Sequence, residues 1–496
     1  MKPWLILIVL SPIAYILVQR SLKNVTNTPI WLCWLVMMLP AFIWTTWAYV
    51  FGEEQPIPLP VFLFPLIICP LLYGWLVQKG KPQAKTTETN QQENMAMAKT
   101  AEESSPQTPI NIQDEKTLRN CFPWDVYYLQ NIDYRPQAIF CRGKLKTIPD
   151  KAYEKIKSNI EAAFGDRFFL IFQESLRGKP FFALVPNPQS QSNSNREERL
   201  AQSSDTRWGV ALAMFLATLI TTTMAGVSIQ GITLEELDSN PDLLFTGLSY
   251  SLPLLLILSF HEFSHYLVAI YYKIRTTLPY FIPFPLLSPF YLGTLGTFSQ
   301  RRSPIPHRKA LFDIAIAGPI AGLIVTIPIL LWGLARSTPI PLTDDTVSFD
   351  TLNPRISLLL SLLSKLALGE QFKAGMAINL DPLAAAGCVG LLITTINLIP
   401  LGGLDGGNIV HAVFGQRTAI AVGQIARILS LLFAWVHPHF WLLTIILWLI
   451  PLIDRPALND VTELNNWRDL GGLFCLTLFV LMILPLPNSI ANLLHM

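Results

Sequence analysis

Between Leu243 and Tyr272 the chain is apolar almost without interruption, and the second half of that run carries His261, Glu262, Phe263, Ser264 and His265. A stretch of this character reads as a membrane-crossing helix, which takes about 20 residues. Ionisable side chains are costly in such a helix and mark function by default. Two histidines four residues apart stand on one helix face, so both can reach a single metal ion, and Glu262 beside the first is placed to take a proton from water. On a soluble helix the same five letters also fit two histidines that merely hydrogen-bond to neighbours. Inside an apolar helix three polar residues so close require a stronger cause, and zinc, which suits neutral imidazole and carboxylate, supplies one.

The remainder of the chain fits a membrane setting. Of its 496 residues 51% are hydrophobic and only 14% charged, where a soluble protein carries about 25%. Three apolar runs come first, Trp4–Val18, Ile30–Phe51 and Ile57–Val77, with prolines that membrane helices tolerate. Trp4–Val18 has no small-residue cleavage site after it and reads as a first membrane helix rather than a signal peptide. Arg20 and Lys23 follow the first run, Glu53 and Glu54 the second, and Lys79, Lys81 and Lys85 the third. The positive-inside rule then puts the Arg20 loop and the segment after Lys79 in the cytoplasm.

A polar stretch rich in Gln, Thr, Glu and Ser reads as a disordered tether. The composition then turns globular. Ala138–Cys141, Phe168–Phe172 and Phe181–Val185 read as strands, with a turn at Gly178. Asp150–Phe164 reads as a helix with Tyr153, Ile156, Ile160 and Phe164 on one face, Asp150 as its N-cap and Gly165 as its stop. This small domain has no histidine and no clustered carboxylates, which points to regulation or presentation rather than catalysis.

Further spans are Trp208–Ile229, Leu243–Tyr272, Ala310–Leu334, Leu383–Ile399, Thr418–Trp435, Phe440–Ile453 and Leu473–Leu486. Acidic residues from Glu235 to Asp242 sit on one side of the HEFSH helix, and Lys273 and Arg275 on the other, which turns HEFSH toward the cytoplasm. Pro279, Pro283, Pro285 and Pro289 forbid a regular helix, and Gly293-Thr294-Leu295-Gly296-Thr297-Phe298 suggests an extended hairpin. Such backbone survives at membrane depth only when buried in protein or lining a wet cavity. Gly318-Pro319-x-x-Gly322 offers a small-residue face for close helix packing. Ile356–Leu368 reads as an amphipathic helix along the membrane surface.

A catalytic zinc needs a third protein ligand. Asp405 is the candidate, at the inner end of a span and level with HEFSH, among Gly402, Gly403, Gly406 and Gly407, whose backbone freedom brings a short side chain to a metal. The competing reading of Asp405 is a helix cap in a Gly-rich turn. Asn397 is a candidate donor to a substrate carbonyl, or else a helix–helix contact. His307 reads as solvated, His411 as a structural histidine with a place beside the site as the lesser alternative, and His437 and His439 as lying in an outer turn. The six cysteines are scattered without CxxC spacing, which argues against a disulfide framework and against a thiolate zinc site; Cys121 and Cys141 share one polar region and could pair, but nothing else in the chain looks secreted, which disfavours the bond.

The expected architecture is an all-α polytopic membrane protein of about nine or ten transmembrane helices, with a membrane-associated β-hairpin and a small soluble α/β domain. Its parts are an N-terminal three-helix membrane region (1–78), a disordered linker (79–117), a small cytoplasmic α/β domain (118–188), a second linker (189–206), a catalytic membrane core (207–453), and a polar patch with a C-terminal transmembrane helix (454–496). The chemistry this suits is metal-assisted hydrolysis with Glu262 as the base. A zinc transporter or sensor is the main alternative, though no internal repeat supports a transporter. A proteolytically inactive scaffold is the other, and the intact Glu262 speaks against it.

HEFSH in one membrane helix and Asn397-x-x-Pro400-x-x-x-Leu404-Asp405-Gly406 in a later one, with GxxGTF and GPxxG between them, resemble the site-2 protease family of intramembrane zinc metalloproteases, peptidase family M50. The resemblance covers about Trp208 to Ile453. It implies His261, His265 and Asp405 as zinc ligands, Glu262 as catalytic acid/base, and cleavage of transmembrane segments of substrate proteins, with no nucleic acid as partner. Ala138–Val185 is similar to the plastid and cyanobacterial branch named for ethylene-dependent gravitropism deficiency and yellow-green leaves. Where that branch has Gly-Asn-Leu-Arg this chain has Gly143-Lys144-Leu145-Lys146, which leaves the catalytic motifs untouched. The branch implies a thylakoid or bacterial inner membrane, and the flanking charges turn the site toward its cytoplasmic face.

Overall fold

The computed structural model describes residues 29–51, individual residues between 61 and 79, and residues 112–135, 138–175, 178–187, 208–284, 292–341, 351–373, 376–436, 440–452 and 457–493. The expected span Trp4–Val18, most of Ile57–Val77, linker residues 81–111 and 189–207, the hairpin tip with Pro285 and Pro289, and His437, His439 and His495 lie outside them. The chain divides into two compact units, Met1–Ser104 and Ser105–Met496. In the first, helix α1 (Ile30–Phe51) takes up the expected apolar run and carries Pro40. Its Cys33 is buried among Ile30, Trp34, Tyr73 and Leu76.

The second unit begins with α2 (Ile112–Asn120), which overlaps the last residues of the stretch expected as a linker. An antiparallel sheet follows, formed by β1 (Tyr127–Arg135), β2 (Ala138–Leu145), β3 (Phe168–Glu174) and β4 (Pro180–Pro186) in the order β1-β2-β4-β3. Strand β1 escapes a search for alternation because a bulge between Leu129 and Asn131 breaks its register. Helix α3 (Pro149–Phe164) lays Ala152, Tyr153, Ile156, Ile160 and Phe164 on the sheet. Asp150 is not its N-cap: Ile148 occupies that position, Pro149 opens the helix, as its fixed φ favours, and Asp150 lies in the first turn. Gly165 stops the helix at φ +58°. Phe172 stacks on Phe182 at 4.1 Å, and burying each such ring stabilises the domain by about 1.5–3 kcal/mol.

The rest is helix-rich. Among the described residues five helices are long and apolar enough to cross a membrane: α4 (Trp208–Ile229), α5 (Leu248–Tyr271, entered through a 3₁₀ turn from Pro241), α6 (Arg308–Arg336), and two later ones below. The 22 residues of α4 rise about 33 Å, against about 30 Å of hydrocarbon. Between α5 and α6 the expected hairpin forms, β5 (Tyr280–Pro283) pairing with β6 (Thr294–Phe298). After α6, β7 (Thr338–Pro341), β8 (Thr351–Leu352) and β9 (Met376–Asn379) make a small sheet of order β7-β9-β8. Helix α7 (Leu358–Leu368), capped by Ser357, buries Leu358, Leu360, Leu363 and Leu368.

Helix α8 (Pro382–Asn397) has 16 residues, about 24 Å, and is shorter than the expected span Leu383–Ile399 because the chain leaves the helix before Pro400. Then come α9 (Asp405–Phe414), α10 (Gln416–Val436), α11 (Trp441–Leu449) and α12 (Asn466–Ile483), of which α10 and α12 complete the five. The expected span Phe440–Ile453 is corrected to the nine residues of α11, which end just before Pro451. Small residues let α6 and α8 meet: a Cβ on Gly333 would come 2.2 Å from Ala384 N, and one on Gly387 2.8 Å from Leu330. The expected polar patch within 454–496 contains ordered segments. Residues 458–460 run extended beside β3, and α12 starts at Asn466, so Arg468 is helical. Its guanidinium grips Asp313 of α6 at 2.8 and 2.7 Å, and Tyr272 donates to the same carboxylate at 2.5 Å. The six cysteines, Cys121 and Cys141 included, are free.

Candidate active site

Helix α5 presents His261, Glu262 and His265 near its C-terminal end, with His261 and Glu262 buried. The imidazoles fit because α6 is hollowed opposite them. A Cβ on Gly318 would fall 2.0 Å from His265 Nε2, and one on Gly322 3.0 Å from His261 Nδ1. The GPxxG face, expected to bring helices together, here makes room for two rings. His265 Nδ1 lies 2.7 Å from the Ile314 carbonyl, a contact that orients the ring and turns Nε2 the other way.

Asp405 arrives from the far end of the site. After Asn397 ends α8, the chain turns through residues 398–404, where Gly403 takes φ +90°, and α9 begins at Asp405. The other glycines serve close packing. A Cβ on Gly406 would meet the Leu398 carbonyl oxygen at 2.0 Å, and one on Gly407 that of Leu401 at 2.1 Å. The N-cap of α9 is Leu404, with no side-chain cap, so the Asp405 carboxylate is not spent on the helix end. Its Oδ2 lies 3.2 Å from His265 Nε2 and 3.5 Å from His261 Nε2.

Among the described residues His261, His265 and Asp405 form the group that could hold a metal ion, their ligand atoms all within 4.8 Å of one another. Zinc bonds of about 2.0–2.1 Å in a tetrahedron separate neighbouring donors by about 3.3 Å, which the two measured distances bracket. Two imidazole nitrogens, one carboxylate oxygen and no thiolate suit zinc. Asn397 joins them, its Nδ2 3.3 Å from His261 Nε2. Glu262 accepts a hydrogen bond from the Thr297 hydroxyl of β6 at 3.1 Å. Thr297 was not anticipated as a site residue, since alternation alone does not say which hairpin residue meets which helix. The Ile314 carbonyl is backbone and has no signature in side-chain pattern.

The other histidines lie elsewhere. His307 is not solvated: it is half-buried, caps α6 by accepting from Ala310 N at 3.0 Å, and meets Tyr272 edge-on at 5.4 Å. Burial holds its pKa below the usual 6.5. His411 does not touch the metal-ligand group; its Nε2 lies 3.0 Å from Asp460.

A donor set of this kind with a carboxylate beside it is what a metal-dependent hydrolase requires. Residues 249–436 match the model of peptidase family M50. The chain is 30% identical over 383 residues to a probable zinc metalloprotease, EGY1, chloroplastic, of Arabidopsis thaliana, covering 72% of this chain and 67% of that one. It is 30% identical over 370 residues to the probable zinc metalloprotease EGY2, chloroplastic, of the same plant, covering 74% and 63%. Against EGY2 of Oryza sativa subsp. indica it is 28% identical over 388 residues, covering 77% and 67%. It thus spans about two thirds of the length of these relatives. No solved structure matches it. The chain belongs to peptidase family M50, the site-2 protease family, and is a metalloprotease.

Proposed function

We propose that this metalloprotease is an intramembrane one, cutting peptide bonds within or near transmembrane segments of membrane proteins in regulated proteolysis. The convergence of the His261 and His265 nitrogens with the Asp405 carboxylate, from helices separated by most of the core, carries the reading. In it these three residues hold the zinc, which when bound supplies Lewis acidity toward water and a peptide carbonyl. Glu262 takes the proton from the attacking water and returns one to the leaving amine. Thr297 holds the Glu262 carboxylate in place from β6. Were His261 Nε2 to hold the metal, the Asn397 amide would be free to donate to the substrate oxygen. The β5–β6 hairpin keeps the centre wet and guides an unwound substrate segment to it.

The finer architecture belongs to the same proposal. The five described spans, together with the three N-terminal apolar runs and the shorter helix α8, give about nine crossings. The basic residues Lys273, Arg275, Arg301 and Arg302 beside the site turn it to the cytoplasmic face of a thylakoid or bacterial inner membrane. The test is zinc analysis and cleavage of a model transmembrane substrate by the wild type beside Glu262→Gln. The variant is expected to keep its zinc and lose turnover. Equal processing by both, with zinc bound, refutes the mechanism.

A further inference from the structure

A second buried His–Asp pair stands behind the metal-ligand group. The Asp460 carboxylate lies 3.0 and 3.1 Å from His411 Nε2, with the two side chains 8% and 2% exposed. His411 belongs to α9, six residues after Asp405. That is about 9 Å along the helix and about 240° around it, so the pair grips α9 from the side away from the metal ligands. Arg308 holds the same helix by donating from Nε to the Ala412 carbonyl at 2.6 Å.

Asp460 is itself held from two sides. The segment Leu458–Asp460 lies extended between the outer edge of β3 and residues 305–308. On the sheet side Phe172 N donates to Leu458 O at 2.7 Å and Asp460 N to Phe172 O at 2.9 Å. On the core side Leu458 N donates to Ile305 O at 2.8 Å, Asn459 N to Pro306 O at 3.1 Å, and Arg308 N to Asn459 O at 3.1 Å. Val461 is buried in the core of the small α/β domain, with Leu458 packed against it, while Ala457 is buried in the core of the helices. Asn459 closes the segment on Thr462 through its own amide. These contacts make a strap from the sheet edge to the helix that starts at Asp405.

A buried acid–base pair is a poor way to gain stability, since apolar residues of equal volume serve as well or better. What such a pair adds is direction: one hydrogen-bond geometry, and so one placement of the helix. We propose that Asp460 is a positioning residue for the metal centre. Seated by the strap on the edge of the small domain, it orients His411, and through α9 it sets the Asp405 carboxylate against His261 and His265. The small domain is then part of what builds the site. This rests on the reading of Asp405 as a zinc ligand.

The test uses the full chain in nanodiscs, with zinc affinity measured by chelator competition and with the visible absorption of the cobalt(II)-substituted protein as a reporter of ligand geometry. Asp460→Ala is expected to weaken zinc binding about tenfold, the lower end for supporting partners of metal ligands, and to shift the cobalt bands. Asp460→Asn, which keeps an acceptor for His411 Nε2, is expected to restore both. His411→Phe fills the same space without the hydrogen bond and carries the test if the alanine variant does not fold; it should match Asp460→Ala. Leu458→Ala, which loosens the strap from the domain, should shift the bands in the same direction. A lowered melting temperature with unchanged zinc affinity and cobalt spectrum makes the pair merely structural and overturns the proposal. Asp405→Ala separates the two levels. If it too leaves the spectrum unchanged, the ligand assignment has failed and this inference with it; if it abolishes the bands while Asp460→Ala does not move them, only this inference has failed.

Discussion

Replacing Gly318 by Ala adds one methyl group to α6 and puts it where the His265 ring now lies. The new carbon would sit 2.0 Å from Nε2, 2.5 Å from Cε1 and 2.7 Å from Cδ2. Ordinary contact between such atoms is about 3.5 Å, so Nε2 must retreat by about 1.5 Å. The ring is the free end of a side chain and can swing, so folding should lose little, on the order of 1 kcal/mol for an off-rotamer histidine. The metal centre cannot follow, because ligand distances are held to within about 0.2 Å. If three protein ligands share about 10 kcal/mol of binding, losing one costs about 3 kcal/mol, or roughly 10²-fold in zinc affinity. Gly406→Ala provides the contrast. Its Cβ meets the Leu398 carbonyl at 2.0 Å, which is backbone and cannot swing, so that variant should fail in folding before it fails in metal binding. The assay is chelator competition for zinc beside thermal unfolding in the same detergent. A Gly318→Ala protein that binds zinc with wild-type affinity refutes the claim that this glycine exists to seat His265.

Other outcomes follow from the same geometry. Thr297→Val should slow cleavage about tenfold, since a hydrogen bond to a charged group contributes about 1.5–3 kcal/mol; Thr297→Ser should restore the rate, and zinc content should not change in either. Arg468→Ala strips Asp313 of its bidentate partner and leaves it with Tyr272; a loss of about 2 kcal/mol is expected, read as a lowered denaturation midpoint. His307 caps α6 as the neutral ring, and its pKa in the folded state lies below the unfolded 6.5. The unfolded chain therefore takes up more protons, and the contribution of His307 is complete above pH 6.5 and lost as pH falls below it. His307→Asn should remove that part of the acid loss in a pH series of melting temperatures and leave stability near pH 8 unchanged.

What could be read from the sequence follows the range of the forces involved. Spacing along one helix is local, so His261, Glu262 and His265 are evident from five letters, and the proline-rich run after Lys273 declares itself non-helical. Asp405 was reached by matching depth, a coarse coordinate that hydrophobic runs and flanking charges do encode. Contacts between elements are another matter. GPxxG carries the same letters whether two helices close on each other or a ring fills the gap, and only the opposite helix decides. The length of α8 was overestimated because hydropathy continues through Leu398 and Ile399 after the helix has ended. His411 is close to Asp405 by counting along the chain, yet six residues of helix turn it away from His261, His265 and Asp405 and toward Asp460, a partner that spacing alone does not reveal.

The hairpin shows why these long-range contacts matter to function. Its backbone is not helical, and in the interior of such a protein each unpaired carbonyl carries a penalty. Here hydroxyl groups from two helices meet that need. Thr221 of α4 donates to the Gly293 carbonyl at 2.6 Å, and the buried Tyr250 of α5 donates to that of Leu292 at 3.0 Å. Gly293 itself, at φ +73°, lies so close to α4 that a Cβ would come 2.6 Å from Thr222 Cα. The hairpin is therefore held both by α4 and by the helix that carries His261, Glu262 and His265, and four residues on from Gly293 its Thr297 touches Glu262. Helix α5 thus supplies both the candidate base and, through Tyr250, one anchor of the strand that holds that base.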